Sequence, residues 1–293
     1  MDHRMTQHDR RITPVRSDLA AASLEGKVEA PRYVAGIDRI VVHGTADLRS
    51  APVADAGLET EALHGEIFTV YASDDEGWSW GQLRRDSYVG YLPARALSVD
   101  VVAPTHRVRV TRTFLYRGPS TRSAPVAALS LGGRVTIAGT DDRFSITHRG
   151  HYLISDHLVP VTTHEDDFVS VAERFHGAPY YWGGKTSLGL DCSGLVQLAL
   201  DAAGIFAPRD SDMQEESVGD RIAFDADLAG SRRGDLVFWK GHVGIMRDAT
   251  TLLHASGHQM LVVSEPVGEA VARIRASGGG SVTSVRRLRR CRA

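Results

Sequence analysis

The sequence predicts a multidomain chain in which two small all-β units precede an α+β domain. Three observations carry this. First, residues 32–161 hold short apolar runs, such as Ile67–Tyr71 and Val89–Leu92, separated by Gly, Asp, Ser and Pro, the punctuation of short strands. Second, that stretch repeats itself. Shifted by 67 positions, Leu48 falls on Leu115, Pro52 on Pro119, Gly65 on Gly132, Thr69 on Thr136 and Asp74–Asp75 on Asp141–Asp142. After those aspartates the second copy is six residues shorter, and Tyr91–Leu92 meets Tyr152–Leu153. Duplication of one β unit explains both features. Third, helical periodicity begins at about residue 164 and is followed by the strand-like runs Leu236–Trp239, Val243–Met246 and Leu252–Ala255. The expected divisions are a polar N-terminal segment (1–31), two β units (32–100 and 103–161) and the α+β domain (164–293).

Composition narrows the class. The 293 residues are 42 % apolar and 24 % charged, ordinary globular usage that argues against disorder, collagen or coiled coil. Lys and Arg number 34 against 36 Asp and Glu, a net charge of −2, so no global drive toward nucleic acid or anionic membrane exists. Arg286, Arg287, Arg289, Arg290 and Arg292 read as a solvated basic tail. Two cysteines, Cys192 and Cys291, exclude a disulfide framework. The charged start lacks the apolar core of a secretory leader, and no stretch reaches the roughly 18 apolar residues of a membrane span. The expectation is a cytoplasmic chain with reduced thiols and no nucleic-acid or membrane partner. Within the first 31 residues only Ser17–Ala22 suggests a short helix.

In the α+β domain, Asp166 or Asp167 caps a helix with Phe168, Val171, Ala172 and Phe175 on one stripe, and Gly177 is its natural stop. The loop AlaProTyrTyrTrpGlyGly at 178–184 comes next. A second helix runs from Cys192 to about Ala203, with Leu195, Leu198, Ala199 and Ala202 inward and Gly204 as its stop. SerGlyGlyGlySer at 277–281 reads as a flexible loop.

Cys192 stands at the first turn of that helix, where unsatisfied N–H groups and the macrodipole stabilise a thiolate. Asp191 beside it opposes ionisation, so an imidazolium must outweigh it or the carboxylate must turn toward a substrate ammonium. Alone, such a cysteine is equally a small buried hydrophobe. His242 changes this. It opens the strand in GlyHisValGlyIleMet, and His254 ends the next, in LeuLeuHisAlaSer. A hairpin of the two strands makes the histidines neighbours, which gives nucleophile, base and orienting group. His258 falls in the turn beyond. Cys192, His242 and His254 lack the short-spaced ligand pair of a zinc site, so neither metal nor cofactor is expected. The two β copies also differ. Glu66 meets Gly133, and Tyr88 lies in the stretch the second copy lacks. The scaffold requires neither, so both are solvated or presented to a ligand.

These motifs resemble the NlpC/P60 cysteine peptidases, which adopt a papain-like fold. ProTyrTyrTrpGlyGly, AspCysSerGly, ArgGlyAspLeuValPhe, GlyHisValGlyIle and LeuHisAlaSer carry the likeness, in order, across about 165–290. Upstream, the Gly-rich turns and the GW and GYL phrases resemble bacterial SH3-like barrels. The resemblance implies Cys192 as nucleophile, His242 as general base and then acid, and His254 as the group orienting His242. It implies Tyr180, or failing that Tyr181, as a side-chain oxyanion donor. Two SH3-like repeats, with ProArgAspSer at 208–211 and Gln214, look like the branch that trims murein peptides, although the family often spaces that Gln closer. Such enzymes are γ-D-glutamyl-L-diamino-acid endopeptidases requiring a free N-terminal L-Ala. An ammonium needs carboxylates and hydroxyls around it. Those implied are Asp191, Ser193, Asp210 and Ser211 from the peptidase and Glu66 and Tyr88 from the first barrel. The expected substrate is a recycled murein peptide, L-Ala-γ-D-Glu–diamino acid, cleaved without metal. A thiol acyltransferase on the same scaffold and an inactive wall-binding SH3-like protein are the alternatives. The second predicts a missing Cys or His, and both are present.

Overall fold

The duplication read from the sequence recurs as a duplication of strands in the computed structural model, which describes residues 8–288. Strands Thr45–Arg49 and Leu58–Leu63 return as Arg112–Tyr116 and Pro125–Ser130. Past the shortened stretch, Val89–Pro93 and the 3-10 turn Ala94–Ala96 return as Tyr152–Ile154 and Ser155–His157. The cross-strand pair Arg49–Tyr91 has its counterpart in Tyr116–Tyr152. Gly65 and Gly132 both turn through the left-handed region, at φ +78° and +81°, which is why both copies carry glycine there.

The first copy is a seven-stranded antiparallel sheet. Its spatial order is Leu58–Leu63, Thr45–Arg49, Val89–Pro93, Trp78–Leu83, Ile67–Ser73, Ile37–Val41 and Leu97–Ser98. Side-chain alternation buries Val41, Leu48, Phe68, Leu83 and Leu92 in one core. The stretch expected to be a separate polar segment lies on this barrel from residue 8 onward. Leu19, Ala20 and Ala21 are buried. The Arg11 carbonyl accepts the Val89 N–H at 2.7 Å, the Gln82 amide donates to the Ile12 carbonyl at 2.9 Å, and the Arg16 guanidinium stands 4.7 Å over the Trp80 ring. Ser17–Ala22 is not a helix. Ala20–Ala21 pairs in parallel with Tyr33–Val34, and only Ala22–Leu24 makes a single 3-10 turn.

Downstream, α1 (Phe168–Glu173) starts where the Asp167 side chain accepts the Val169 N–H. Helix α2 (Cys192–Ala202) starts where Asp191 accepts the Gly194 N–H, and Gly204, at φ +74°, follows its end. Two further helices, α3 (Ser211–Ser217) and α4 (Val267–Ala276), carry too narrow an apolar stripe to stand out in the sequence. Within α3 only Gln214 is buried, and within α4 only Val267 and Ala270. Six antiparallel strands form one sheet, ordered Asp220–Ile222, Ser284–Arg287, Leu236–Trp239, His242–Met246, Thr251–Ser256 and Leu261–Pro266. Arg286 and Arg287 therefore belong to a strand and not to a solvated tail. Arg287 donates to both Asp235 oxygens at 2.7 Å. Arg289, Arg290, Cys291 and Arg292 lie outside the described residues.

The chain divides into two compact units. One holds the residues up to His106 with Phe114–Leu129 and Gly133–Ser155, and the other holds Arg107–Thr113, Ser130–Gly132 and the residues from Asp156. Segments of the second β copy thus fall in both units. Arg107 supplies a reason. Its buried guanidinium donates to the carbonyls of Asp201 at 3.0 Å, Ala202 at 2.7 Å and Thr163. Those at Asp201 and Ala202 lie at the C-terminal end of α2, where the helix dipole favours a cation. Among the described residues no helix is long and apolar enough to cross a membrane.

Candidate active site

Cys192 opens α2 with its thiol buried. The main chains of Val243 and Ser193 hydrogen-bond to it, which brings the start of the His242–Met246 strand against the start of the helix. Burial, and then the Asp191 charge, push the thiol up to about 12; the two main-chain bonds and Arg209 pull the other way.

The histidines meet as the hairpin geometry requires. The pairs Ile245–Leu253 and Met246–Leu252 fix an antiparallel register that sets His242 diagonal to His254 on one face. His242 Nε2 lies 2.7 Å from His254 Nδ1, with ring centroids 5.0 Å apart. The line continues beyond the residues singled out in the sequence. His254 Nε2 lies 2.7 Å from Glu265 Oε1, and Arg273 donates to both Glu265 oxygens at 2.5 Å. With both imidazoles neutral, one proton arrangement satisfies this chain. An ionised Glu265 only accepts, so His254 carries its proton on Nε2. His254 Nδ1 then accepts from His242 Nε2–H, and His242 Nδ1 is left as the lone pair. Burial opposes ionisation of Glu265, but the bonds from His254 and Arg273 outweigh it and hold the carboxyl at about 2. Burial, then the fields of His254 and Arg273, hold His242 at about 3. Thiol and base are both uncharged at neutral pH in the free site. A lone charge on either is costly there, whereas a thiolate and an imidazolium formed together attract.

Asp191 Oδ1 accepts from Gly194 N at 2.7 Å, Arg209 at 2.9 Å and the Ser193 hydroxyl at 3.3 Å; its Oδ2 accepts from Arg209 at 2.7 Å and Gly183 N at 2.9 Å. Ser193 also accepts from Arg209, at 2.9 Å. The polar atoms of Asp191 and Ser193 thus serve one another, the cap of α2 and a buried guanidinium. Arg209 offsets part of the Asp191 charge, which still raises the thiol. Asp210 and Ser211 follow directly, at the start of α3, both half-buried. Gln214 donates to the Ser193 carbonyl at 3.0 Å and the Pro208 carbonyl at 2.9 Å, which ties α3 to the first turn of α2.

The two tyrosines separate clearly. Tyr180 is half-buried, and burial, then the charges at Cys192 and Asp191, push its hydroxyl far above the ordinary value. It therefore stays protonated beside the thiol and is a hydrogen-bond donor. Tyr181 is 45 % exposed, and its ring lies against Gly184 and Gly189.

Glu66 and Tyr88 are buried in the first barrel. Glu66 is 2 % exposed, accepts the Leu63 N–H at 3.0 Å and pairs with Arg85 at 3.3 Å. Tyr88 belongs to the barrel core and donates to Glu59 at 3.3 Å. Both serve the barrel's own turn and core, which is a reason for them that the copy-to-copy difference did not reveal.

Comparison with known proteins places this geometry. Residues 177–274 match the family model of NlpC/P60, and residues 48–97 match that of the bacterial dipeptidyl-peptidase Sh3 domain. The part of the chain that holds this site, residues 177–274, is an NlpC/P60 domain. It is similar to Dipeptidyl-peptidase 6 of Lysinibacillus sphaericus, 34 % identical over 106 residues, which cover 36 % of this chain and 38 % of that protein. It is similar to the gamma-D-glutamyl-L-lysine dipeptidyl-peptidase of Bacillus subtilis strain 168, 26 % identical over 234 residues, covering 72 % and 76 %. The crystal structure of an NlpC/P60 family protein from Bacillus cereus matches with a TM-score of 0.70 at 20 % identity, covering 86 % of this chain and 99 % of that one. At that identity the fold is what is shared. The chain spans little more than a third of the Lysinibacillus protein's length.

Within the NlpC/P60 domain, sequence reasoning passed over Glu265, Arg273 and the role of Arg209. Arg209 stood inside a quoted motif as a neighbour of the residues of interest. Glu265 carried one readable signal, a carboxylate in LeuValValSerGluPro, the run that forms the next strand after His254.

Proposed function

We propose that this chain is a cysteine peptidase that hydrolyses the γ-D-glutamyl–diamino acid amide of murein peptides with a free N-terminal L-Ala. The relay behind the helix-start thiol, from His242 through His254 to Glu265, is the observation that carries the reading. It leaves a lone pair on His242 Nδ1 and steadies the positive charge that His242 acquires as the thiol gives up its proton. The Cys192 sulfur attacks the amide carbonyl carbon as its proton passes to His242. The Tyr180 hydroxyl and main-chain N–H groups at the start of α2 receive the oxyanion, with each such donor worth about 3 kcal/mol. His242 returns the proton to the leaving amine, and the thioester forms. Water then attacks, with His242 again as base, and the acid leaves. Similarity to the Bacillus subtilis relative supports the γ-D-glutamyl bond. Asp191, Ser193, Asp210 and Ser211 supply the carboxylates and hydroxyls for the L-Ala ammonium.

The test compares L-Ala-γ-D-Glu-meso-diaminopimelate with its N-acetyl form. Release of L-Ala-D-Glu from the free peptide alone supports the reading. Equal cleavage of both removes the ammonium subsite, and transfer of the acyl group to an added amine in place of water replaces hydrolysis with acyl transfer.

A further inference from the structure

The second β copy departs from the first where its shortened stretch ends in the turn ThrHisArgGlyHis at 147–151. The turn is tight. Thr147 N bonds to the His151 carbonyl at 2.8 Å, Gly150 N to the Thr147 carbonyl at 2.8 Å, and Gly150 adopts φ +75°. Three neighbouring side chains, His148, Arg149 and His151, are thereby collected on one edge. They line a cavity of about 130 Å³, together with His64 and Arg134, and no Asp or Glu is among the described residues that line it.

Two facts show that this lining is made for a ligand. The His148 ring has both nitrogens shielded from solvent, and neither makes a hydrogen bond; Asp100 Oδ2 approaches Nε2 only to 3.5 Å. A buried polar group left unsatisfied costs about 1–3 kcal/mol, so such groups mark a missing partner. The lining is also predominantly cationic, with the Asp100 carboxylate against it. Burial first, then Arg117 and Arg149, hold His151 below its ordinary value. Burial likewise holds His64 down, against main-chain bonds from His43 and Val42 and with further lowering by Arg149 and His151. Arg149 pairs at 3.1 Å with Asp100, which is itself 55 % exposed, so solvent weakens that compensation. A cation is repelled here, and among the described residues no group of three His, Cys, Asp or Glu has metal-ligand geometry.

We propose that the cavity binds one small oxyanion, a phosphate- or carboxylate-type group, held by the His148–His151 turn. Arg149 Nη2 already donates to the Ser98 hydroxyl at 3.1 Å and the Asp100 carbonyl at 3.2 Å, so the guanidinium offers an oxyanion its charge and its remaining N–H groups, and the imidazoles offer single N–H donors. The space is roughly that of four liquid waters, enough for one oxyanion group and little else. An anion reverses the field on His64 and His151, so binding takes up protons and tightens as pH falls. The groups that set this response are Arg117, Arg134, Arg149, His148 and Asp100. None of its residues is among the catalytic ones, and it does not depend on the proposed reaction.

The test is ¹³C-histidine NMR of the full chain titrated with sulfate, whose charge is fixed across the range, and with acetate. Saturable shifts of His148 and His151 are expected, with the His151 midpoint raised by about one pH unit, which corresponds to about tenfold tighter binding at the acid end. Arg149→Gln and His148→Gln, both at an edge turn, weaken binding at least tenfold while peptidase activity stays at the wild-type level. Preference for sulfate assigns a phosphate-type ligand, and preference for acetate a carboxylate. Shifts that grow linearly with salt and match those of the turn residue His258 overturn the proposal, as does saturation that neither substitution alters.

Discussion

Glu265→Gln tests the relay at its far end. The substitution keeps the shape but offers one acceptor oxygen where the carboxylate offered two. Arg273 donates to both Glu265 oxygens at 2.5 Å, so it claims the amide oxygen. The amide NH₂ then faces His254 Nε2 and forces that nitrogen to accept. The proton moves to His254 Nδ1, which donates to His242 Nε2, and His242 is left with its proton on Nδ1, where the base needs a lone pair. A hydrogen bond to a charged group contributes about 1.5–3 kcal/mol, and 1.36 kcal/mol is tenfold in rate, so kcat falls about 10- to 150-fold. An outright tautomer error in a serine triad costs about 10⁴, which sets the ceiling. Glu265 touches no substrate in this account, so KM stays within about twofold. Losing the carboxylate also removes a charge that raises His242, so the acid limb of the kcat profile moves to lower pH. Steady-state release of L-Ala-D-Glu across pH 4–8 reads all three quantities. A folded variant with kcat within about twofold of wild type and an unmoved acid limb refutes the relay.

Tyr180→Phe lowers kcat about 100-fold, the loss of one oxyanion donor, whereas Tyr181→Phe leaves it near wild type; the reverse ranking assigns the donor to Tyr181. Arg209→Met leaves Asp191 as an uncompensated charge at a buried pair and costs about 3–5 kcal/mol in urea unfolding, part of which returns on adding Asp191→Asn; an unchanged midpoint contradicts that role. The protein loses stability as pH falls below about 6.5. The unfolded chain protonates His242 there while the folded chain resists until about 3, so the unfolded state binds more protons, and Glu265 adds to the loss between about 4.5 and 2. His242→Gln flattens the slope between pH 6.5 and 4.5, and an equal slope in both proteins shows that His242 is not held neutral.

The parts legible in the sequence were those with a local signal. The repeat was visible because strand spacing and turn glycines are periodic, and the start of α2 was visible because a cap, a thiol and an apolar stripe stand together. His254 was reachable because a hairpin fixes which residues of two adjacent strands meet. Arg209 and Glu265 carry no such signal. Their partners lie on other elements, and a lone charged residue in a loop or a strand reads as solvated until the fold buries it. For Glu66 and Tyr88 the copy-to-copy difference did not reveal their burial. A difference between two copies shows that a residue is dispensable to the shared scaffold, but not whether one copy has drawn it into its own core.

Which bond is cut, and by which atom, decides the central claim. Purified wild-type protein and Cys192→Ala are incubated with L-Ala-γ-D-Glu-meso-diaminopimelate and the products are read by mass spectrometry. The account predicts L-Ala-D-Glu and free diaminopimelate from the wild type and intact peptide from Cys192→Ala. Equal cleavage by the variant, or an intact γ-D-glutamyl bond in the wild type, contradicts it.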